Sequence, residues 1–148
     1  MGRKWTEKDI KLFLSSIQEF SQRNHERLVQ IMELRAVAES CTARMDKENI
    51  QTSGDGDKLA NIVGKIVDLE REICRVEHII EHRKAKFEEI TNNFSDSRQR
   101  EFLTIRYVEG NGFYDTAMLM DLKDSTAKRI HRNAIAEFTK IYNAKHNI

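Results

Sequence analysis

The residues whose side chains could bind another molecule lie near the end of the chain. Between Lys123 and Lys145 there are six lysines and arginines against two acids, a local excess of four positive charges in a chain of net charge +1. Lysine and arginine neutralise phosphates, whereas arginine, asparagine, serine and threonine can reach base edges in the major groove. Six such side chains fall on one side of a predicted helix: Ser125, Thr126, Lys128, Arg129, Arg132 and Asn133. We therefore predict a recognition helix that binds double-stranded DNA.

The opposite side of this predicted helix, residues 125–142, is apolar. Its apolar residues recur at spacings of three and four, which places them on one face: Ala127, Ile130, Ala134, Phe138 and Ile141, with Ile135 beside them. A short helix at residues 113–120 and a turn at 121–124 precede it, and an earlier helix, 97–108, ends at a glycine-containing turn. Helix, turn and basic helix in this order predict a helix-turn-helix.

In the first part of the chain, the apolar residues follow a different periodicity. Residues 7–44 and 58–92 each follow a heptad pattern, in which eight and nine of the ten a and d positions are apolar or small. The exceptions are Asn24 and Arg27 in the first stripe, where a polar layer can fix the register of pairing, and Arg83 in the second. The polar, glycine-containing segment 45–57 predicts a loop between the two helices.

These patterns predict an all-α fold with two domains. Residues 1–94 should form a long, antiparallel, coiled-coil-like helical hairpin, and residues 95–148 a small helix-turn-helix domain. Whether the apolar stripes of the hairpin meet each other or a second chain is left open by the pattern. A homo-oligomer formed through the hairpin is expected, with Asn24 and Arg27 in its pairing seam, because single helix-turn-helix modules seldom bind DNA tightly alone.

Composition narrows the function classes. No apolar run approaches the ~20 residues that a membrane span needs, and the two cysteines, Cys41 and Cys74, form no disulfide framework, so we expect a cytoplasmic protein without a membrane partner. No nucleophile–base pair or phosphate loop stands out, which argues against an enzyme and against a cofactor. Cys74, His78 and His82 share a helical face, but it is the solvated one and offers no fourth ligand, so no metal is expected.

Two parts of the sequence resemble a known family. Residues 102–110, 113–117 and 126–135 are similar to region 4 of sigma factors, with an Arg-Tyr and glycine turn, a small helix centred on Ala117 and a recognition helix ending in an alanine–aliphatic pair. Upstream, residues 51–53, 57–60 and 65–73 resemble the helical hairpin of the ArpU- and RinA-like late transcription regulators of Gram-positive phages. The resemblance extends over nearly the whole chain.

The resemblance implies a phage or prophage activator of late genes, which binds DNA near a promoter in a bacterial host cell and has host RNA polymerase as a further partner. Two residues depart from the sigma pattern. Asp121 replaces a turn glycine, although aspartate tolerates the left-handed conformation, and Lys123 replaces a capping serine, which leaves Asp124 or Ser125 as the expected cap. Two alternatives stay open: a helical interaction protein, and a sigma-like polymerase subunit that does not bind DNA on its own.

Overall fold

The fold was analysed in a computed structural model that describes residues 2–48 and 53–146. Its elements are α1 (Glu7–Glu48), α2 (Ser53–Thr91), α3 (Ser97–Leu103), a π-helical turn (Thr104–Val108), α4 (Phe113–Leu119) and α5 (Asp124–His146). Every regular element within the described residues is helical, which confirms the predicted all-α fold of a long helical hairpin followed by a small helical domain. Within the same residues, no helix is long and apolar enough to cross a membrane.

Local side-chain bonds explain where two of the helices begin. At the start of α1, the Asp9 carboxylate accepts from the backbone N–H of Thr6 at 2.9 Å, and the Thr6 hydroxyl accepts from the N–H of Asp9 at 3.2 Å. This reciprocal capping box satisfies two donors that the first turn would otherwise leave unpaired. It also lowers the pKa of Asp9, mainly through the Thr6 backbone bond. Asp96 caps α3 by accepting from the N–H of Arg98 at 2.9 Å.

The connector of the hairpin differs from the predicted loop at 45–57. Helix α1 continues to Glu48 and α2 begins at Ser53, so all of the described part of that segment is helical. Residues 49–52 of the predicted loop lie outside the described residues. The segment contains no proline, and glycines such as Gly54 and Gly56 cost a helix only about 1 kcal/mol each, which weakens it without breaking it.

The contacts of the described residues divide the chain into two compact units, whereas the division into domains after residue 94 stays a prediction. One unit comprises the described residues of Met1–Glu19 and Ile80–Ile148, and will be called the C-terminal unit; the other, Phe20–Ile79, will be called the hairpin unit. The start of α1 and the end of α2 belong to the C-terminal unit because the last helix packs on them. A pattern read along the sequence could not show this.

The C-terminal unit has two apolar clusters. The larger is centred on Phe138 of α5, which lies against the start of α1 and the end of α2; its buried members are Ile10, Leu14, Phe87, Ile90, Leu103, Tyr107, Ala134, Ile135 and Phe138. The smaller joins α3, α4 and α5 through Phe102, Ala117, Ala127 and Ile130. Arg83, the polar exception in the second heptad stripe, donates a hydrogen bond to the Ser16 hydroxyl in this unit and lies over the Phe13 ring.

The hairpin unit is a pair of helices with one seam. Its buried apolar residues are Ile31, Cys41, Ile62, Ile73 and Val76. Asn24 is buried among them, where its side-chain amide donates to the carbonyl of Ile73 at 3.1 Å and its oxygen accepts from Arg27 at 2.8 Å. This polar layer therefore joins α1 to α2 within one chain rather than lying in a seam between two chains.

Candidate nucleic-acid interface

A tight turn between α4 and α5 sets where the basic helix begins. Asp121 has a positive φ of 53°, and its N–H donates to the carbonyl of Met118 at 3.1 Å. The N–H of Leu122 donates to the carbonyl of Ala117 at 2.8 Å, and its side chain packs against the smaller apolar cluster. The two bonds and the apolar contact make a Schellman motif. The prediction that Asp121 adopts the left-handed conformation is confirmed.

The start of α5 corrects the predicted cap. The N–H of Ala127 donates to the carbonyl of Lys123 at 2.8 Å, so Lys123 is the N-cap residue and the helix begins with Asp124. Neither Asp124 nor Ser125 is therefore the cap. Asp124 instead lies in the first turn, where a negative charge is favourable at the helix N-terminus, and its carboxylate is 3.1 Å from Lys128 Nζ.

The structure places all six predicted DNA-binding residues on α5 and separates them from the core. Five are exposed and one, Thr126, is half-buried: the exposed ones are Ser125, Lys128, Arg129, Arg132 and Asn133. The apolar face is buried through Ala127, Ile130, Ala134, Ile135 and Phe138. The polar face of α5 is thus free of any role in the core, while its role in binding DNA stays a prediction.

The charges on this face differ in how far they are neutralised. Hydrogen bonding to Asp124 and its charge raise the pKa of Lys128, and Tyr114 of α4 acts in the same direction. Arg129 and Arg132 form no ion pair with any carboxylate in the described part of the chain. The two arginines therefore carry the positive charge that this face presents most openly.

Tyr114 is a residue of this region that the sequence analysis did not single out. It is exposed on α4 and close enough to Lys128 to influence the pKa of that amine. Its phenol could donate to a phosphate oxygen, as the first helix of a helix-turn-helix crosses the DNA backbone. The only sequence signal was an aromatic residue at a polar position of the short helix, which is too weak to distinguish binding from packing.

His131 lies on α5 but turns away from the polar face. Its Nε2 is 2.7 Å from the hydroxyl of Tyr107, and the two rings stack with centroids 5.9 Å apart. Burial lowers the pKa of His131 to about 4, and the charges of Lys11 and Arg106 act in the same direction. His131 is therefore neutral near pH 7, so it holds α5 to the π-helical turn and adds nothing to the positive charge. His131 therefore packs, whereas His25 of α1 is exposed.

A contact from α1 holds the turn that precedes α4. The Gln18 side chain donates to the carbonyls of Val108 at 2.7 Å and Tyr107 at 3.3 Å, at the end of the π-helical turn. Gly110 follows with φ of 82°, and a Cβ there would lie 2.6 Å from Gln18 Oε1. The backbone conformation favours glycine at this position, and a Cβ there would also force the end of the Gln18 side chain to move.

Within residues 2–48 and 53–146, no group of three histidine, cysteine, aspartate or glutamate side chains could hold a metal ion. Of the three residues weighed as zinc ligands, Cys74, His78 and His82, all are exposed on α2. Comparisons with protein-family models, with curated proteins and with solved structures found no match to the chain.

Proposed function

We propose that the protein is a sequence-specific DNA-binding transcription regulator that reads the major groove with α5. One observation carries the proposal: α5 buries its apolar face from Ala127 to Phe138, half-buries Ile141, and presents the opposite face, with Arg129 and Arg132, directly after a tight turn from α4. This is the arrangement in which a recognition helix enters the groove while the preceding helix crosses the backbone.

The proposed role of each residue follows from its chemistry. Arginine can form two hydrogen bonds with guanine, and asparagine can do so with adenine, so Arg129, Arg132 and Asn133 are proposed to contact bases. Lys128 and Tyr114 are close enough to interact electrostatically and are proposed to contact phosphates. Ser125 and Thr126, in the first turn of α5, are proposed to contact the backbone or a base edge.

The biological setting is proposed from the family resemblance. Residues 102–110, 113–117 and 126–135 resemble region 4 of sigma factors, and the upstream segments resemble the hairpin of ArpU- and RinA-like regulators. This resemblance supports a phage or prophage activator of late genes acting near a promoter in the bacterial cytoplasm. A homo-oligomer and a contact with host RNA polymerase belong to the same proposal. The proposed protein is not an enzyme and needs no cofactor.

A second candidate function, a helical interaction protein, is favoured by the exposed apolar side chains of the hairpin unit. The two are separated by selecting binding sites from random DNA duplexes, with and without bacterial RNA polymerase, and then titrating salt. The proposal expects a selected sequence and an affinity that falls steeply as salt rises, because bound cations release counterions. A folded protein that shifts no duplex at low salt, with or without polymerase, would contradict DNA binding and favour the interaction protein.

A further inference from the structure

The hairpin unit leaves large apolar side chains uncovered on one side. Leu28 and Met32 on α1 expose 49% and 68% of their surface, and Val63 and Val67 on α2 expose 49% and 37%. Within each pair the residues are four apart, so each pair forms a neighbouring couple on its helix. These four residues will be called the apolar patch.

Helical geometry places all four on the same side of the hairpin. At about 100° per residue, Leu28 and Met32 lie about 60° and 100° ahead of the seam residue Ile31. Val63 and Val67 lie about 80° and 120° ahead of Ile73, which is the seam residue of the other helix. In an antiparallel pair, side chains displaced in the same rotational sense from the seam emerge on the same side.

The other side of the hairpin unit supports this assignment. A groove of about 630 Å³ there is lined by Gln30, Glu33, Leu34 and Val37 of α1 and by Lys65, Asp68 and Leu69 of α2. Several of these residues, such as Gln30, Val37 and Lys65, lie behind their seam residues by about 80° to 120°. None of the four patch residues lines that groove.

From this patch we infer that a second copy of the chain docks on the hairpin unit, so that two hairpins stack through their apolar patches into a four-helix arrangement. A two-helix layer has one buried seam and needs a second layer to cover its side, and an equal hairpin supplies a layer of the same length. The inference deepens the proposed function, on which it rests for the homo-oligomer, by naming the surface that forms it.

Charge at the patch favours a copy of this chain over a strongly charged partner. Arg35 and Glu70 lie between the two apolar pairs and form a salt bridge of 2.9 Å, with both side chains about half exposed. This pair of one positive and one negative charge is self-complementary, and the exposed Glu39, about 80° ahead of Ile31 on the same side, adds a negative charge. Across a two-fold axis, Arg35 of one copy can meet Glu70 of the other.

The area of the patch is suited to a reversible dimer. A leucine, valine or methionine side chain carries on the order of 100 Å² of apolar surface, so the four exposed fractions leave roughly 200 Å² uncovered. A standard interface buries about 800 Å² per partner, a little over half of it apolar. The patch thus supplies about half of that apolar area before the smaller side chains around it, such as the exposed Ala36 and Ala60, are counted.

Sedimentation velocity of the full chain, from below one to tens of micromolar, tests the inference with matched variants. Met32→Glu introduces a charge in the patch, and Val37→Glu introduces the same charge on the groove side. We expect the wild type and Val37→Glu to dimerise, and Met32→Glu to weaken the dimer at least tenfold with its helicity retained. Met32→Ala removes apolar area from the patch without adding a charge, and it tests the inference if Met32→Glu loses helicity. We expect Met32→Ala to weaken the dimer severalfold.

Two results would overturn the inference: a wild type that stays monomeric at tens of micromolar, or patch variants that dimerise as tightly as Val37→Glu. The first result would leave the patch to a partner of another kind. No DNA is present in this measurement, so its outcome is independent of the test of DNA binding. A dimer that binds no duplex would contradict the proposed function alone, and a monomer that binds a selected duplex would contradict the dimer alone.

Discussion

The C-terminal unit and the hairpin unit contain similar helices but complete their cores differently. In the C-terminal unit, helices from both ends of the chain surround Phe138, which is fully buried, and a second cluster fixes α4 and α5. In the hairpin unit, two helices share one seam, and six large apolar side chains of its described residues are exposed: Leu28, Val29, Met32, Val37, Val63 and Val67. The C-terminal unit also exposes Leu12, Tyr114, Met118 and Leu119, but these lie outside its two buried clusters.

This difference separates two uses of apolar surface. In the C-terminal unit it fixes the position of a polar helix face, because every apolar residue of α5 from Ala127 to Phe138 that faces inward is covered. In the hairpin unit, part of the apolar surface stays exposed, and we propose that a second copy of the chain covers it. Substitutions should therefore change folding in the first unit and assembly in the second, and the following predictions test that contrast.

The largest effect is expected from Phe138→Ala. Phe138 is fully buried, with the rings of Phe87 and Phe13 at centroid distances of 5.9 and 6.3 Å. Truncation should lower the free energy of unfolding by ~3–5 kcal/mol, because it leaves a cavity where α1, α2 and α5 meet. Urea denaturation followed by circular dichroism measures this. Val29→Ala in the hairpin unit, at an exposed position, should change it by less than ~0.5 kcal/mol; equal costs would break the comparison.

Gly110→Ala should destabilise the C-terminal unit by ~1–3 kcal/mol. The alanine must adopt a positive φ, and its Cβ would meet the Gln18 amide. Gln18→Ala removes that clash but not the backbone strain, so the cost of Gly110→Ala should be smaller in a Gln18→Ala background. A double-mutant cycle by thermal or urea melting measures the coupling. Costs that simply add would mean that Gln18 does not limit the space at Gly110.

Acid should destabilise the C-terminal unit through His131. The pKa of His131 is lowered to about 4 in the fold, mainly by burial, from an ordinary value of 6.5. The unfolded chain therefore binds the proton first, and stability that is present above pH 6.5 is lost as pH falls towards 4. Because the ring is partly exposed, we expect a loss of about 1–2 kcal/mol. His131→Gln should flatten the pH dependence of the free energy of unfolding in that window. An unchanged pH dependence would mean that other groups cause the loss of stability.

The smallest effect is expected from Asp121→Gly. Asp121 has a φ of 53° at the end of α4, a conformation in which glycine has no Cβ penalty. The substitution should raise the free energy of unfolding by ~0.5–1 kcal/mol, whereas Asp121→Ala, which lacks a polar side chain suited to the left-handed region, should lower it. Thermal melts of the two variants measure this. A change of stability in the same direction for both variants would contradict the turn geometry.

The structural features that depend on the spacing of nearby residues were predictable from the sequence. The all-α fold follows from the heptads, the buried face of α5 from spacings of three and four, and the left-handed Asp121 from its place in the turn. Each of these patterns repeats within a few residues, so it leaves a signature that one sequence can show.

The parts that depend on distant residues were not predictable. Gln18 and Val108 are ninety positions apart, and neither residue type indicates the other. The same holds for the packing of α5 on the start of α1 and the end of α2, both of which belong to the C-terminal unit. Tyr114 was missed as a candidate site residue because its proximity to Lys128 depends on how α4 meets α5.

The most direct test of the central claim is DNA binding by Arg129→Ala/Arg132→Ala beside Arg98→Ala/Arg100→Ala. All four arginines are exposed, and each double variant removes two positive charges from the C-terminal unit, so net charge is matched. Affinities for the selected duplex, measured at one salt concentration and with helicity checked, should fall by at least about tenfold in the α5 variant, as one arginine–guanine contact is worth ~1–3 kcal/mol. The α3 variant should bind nearly as the wild type does. Full affinity in the α5 variant would contradict the assignment of α5 as the recognition helix.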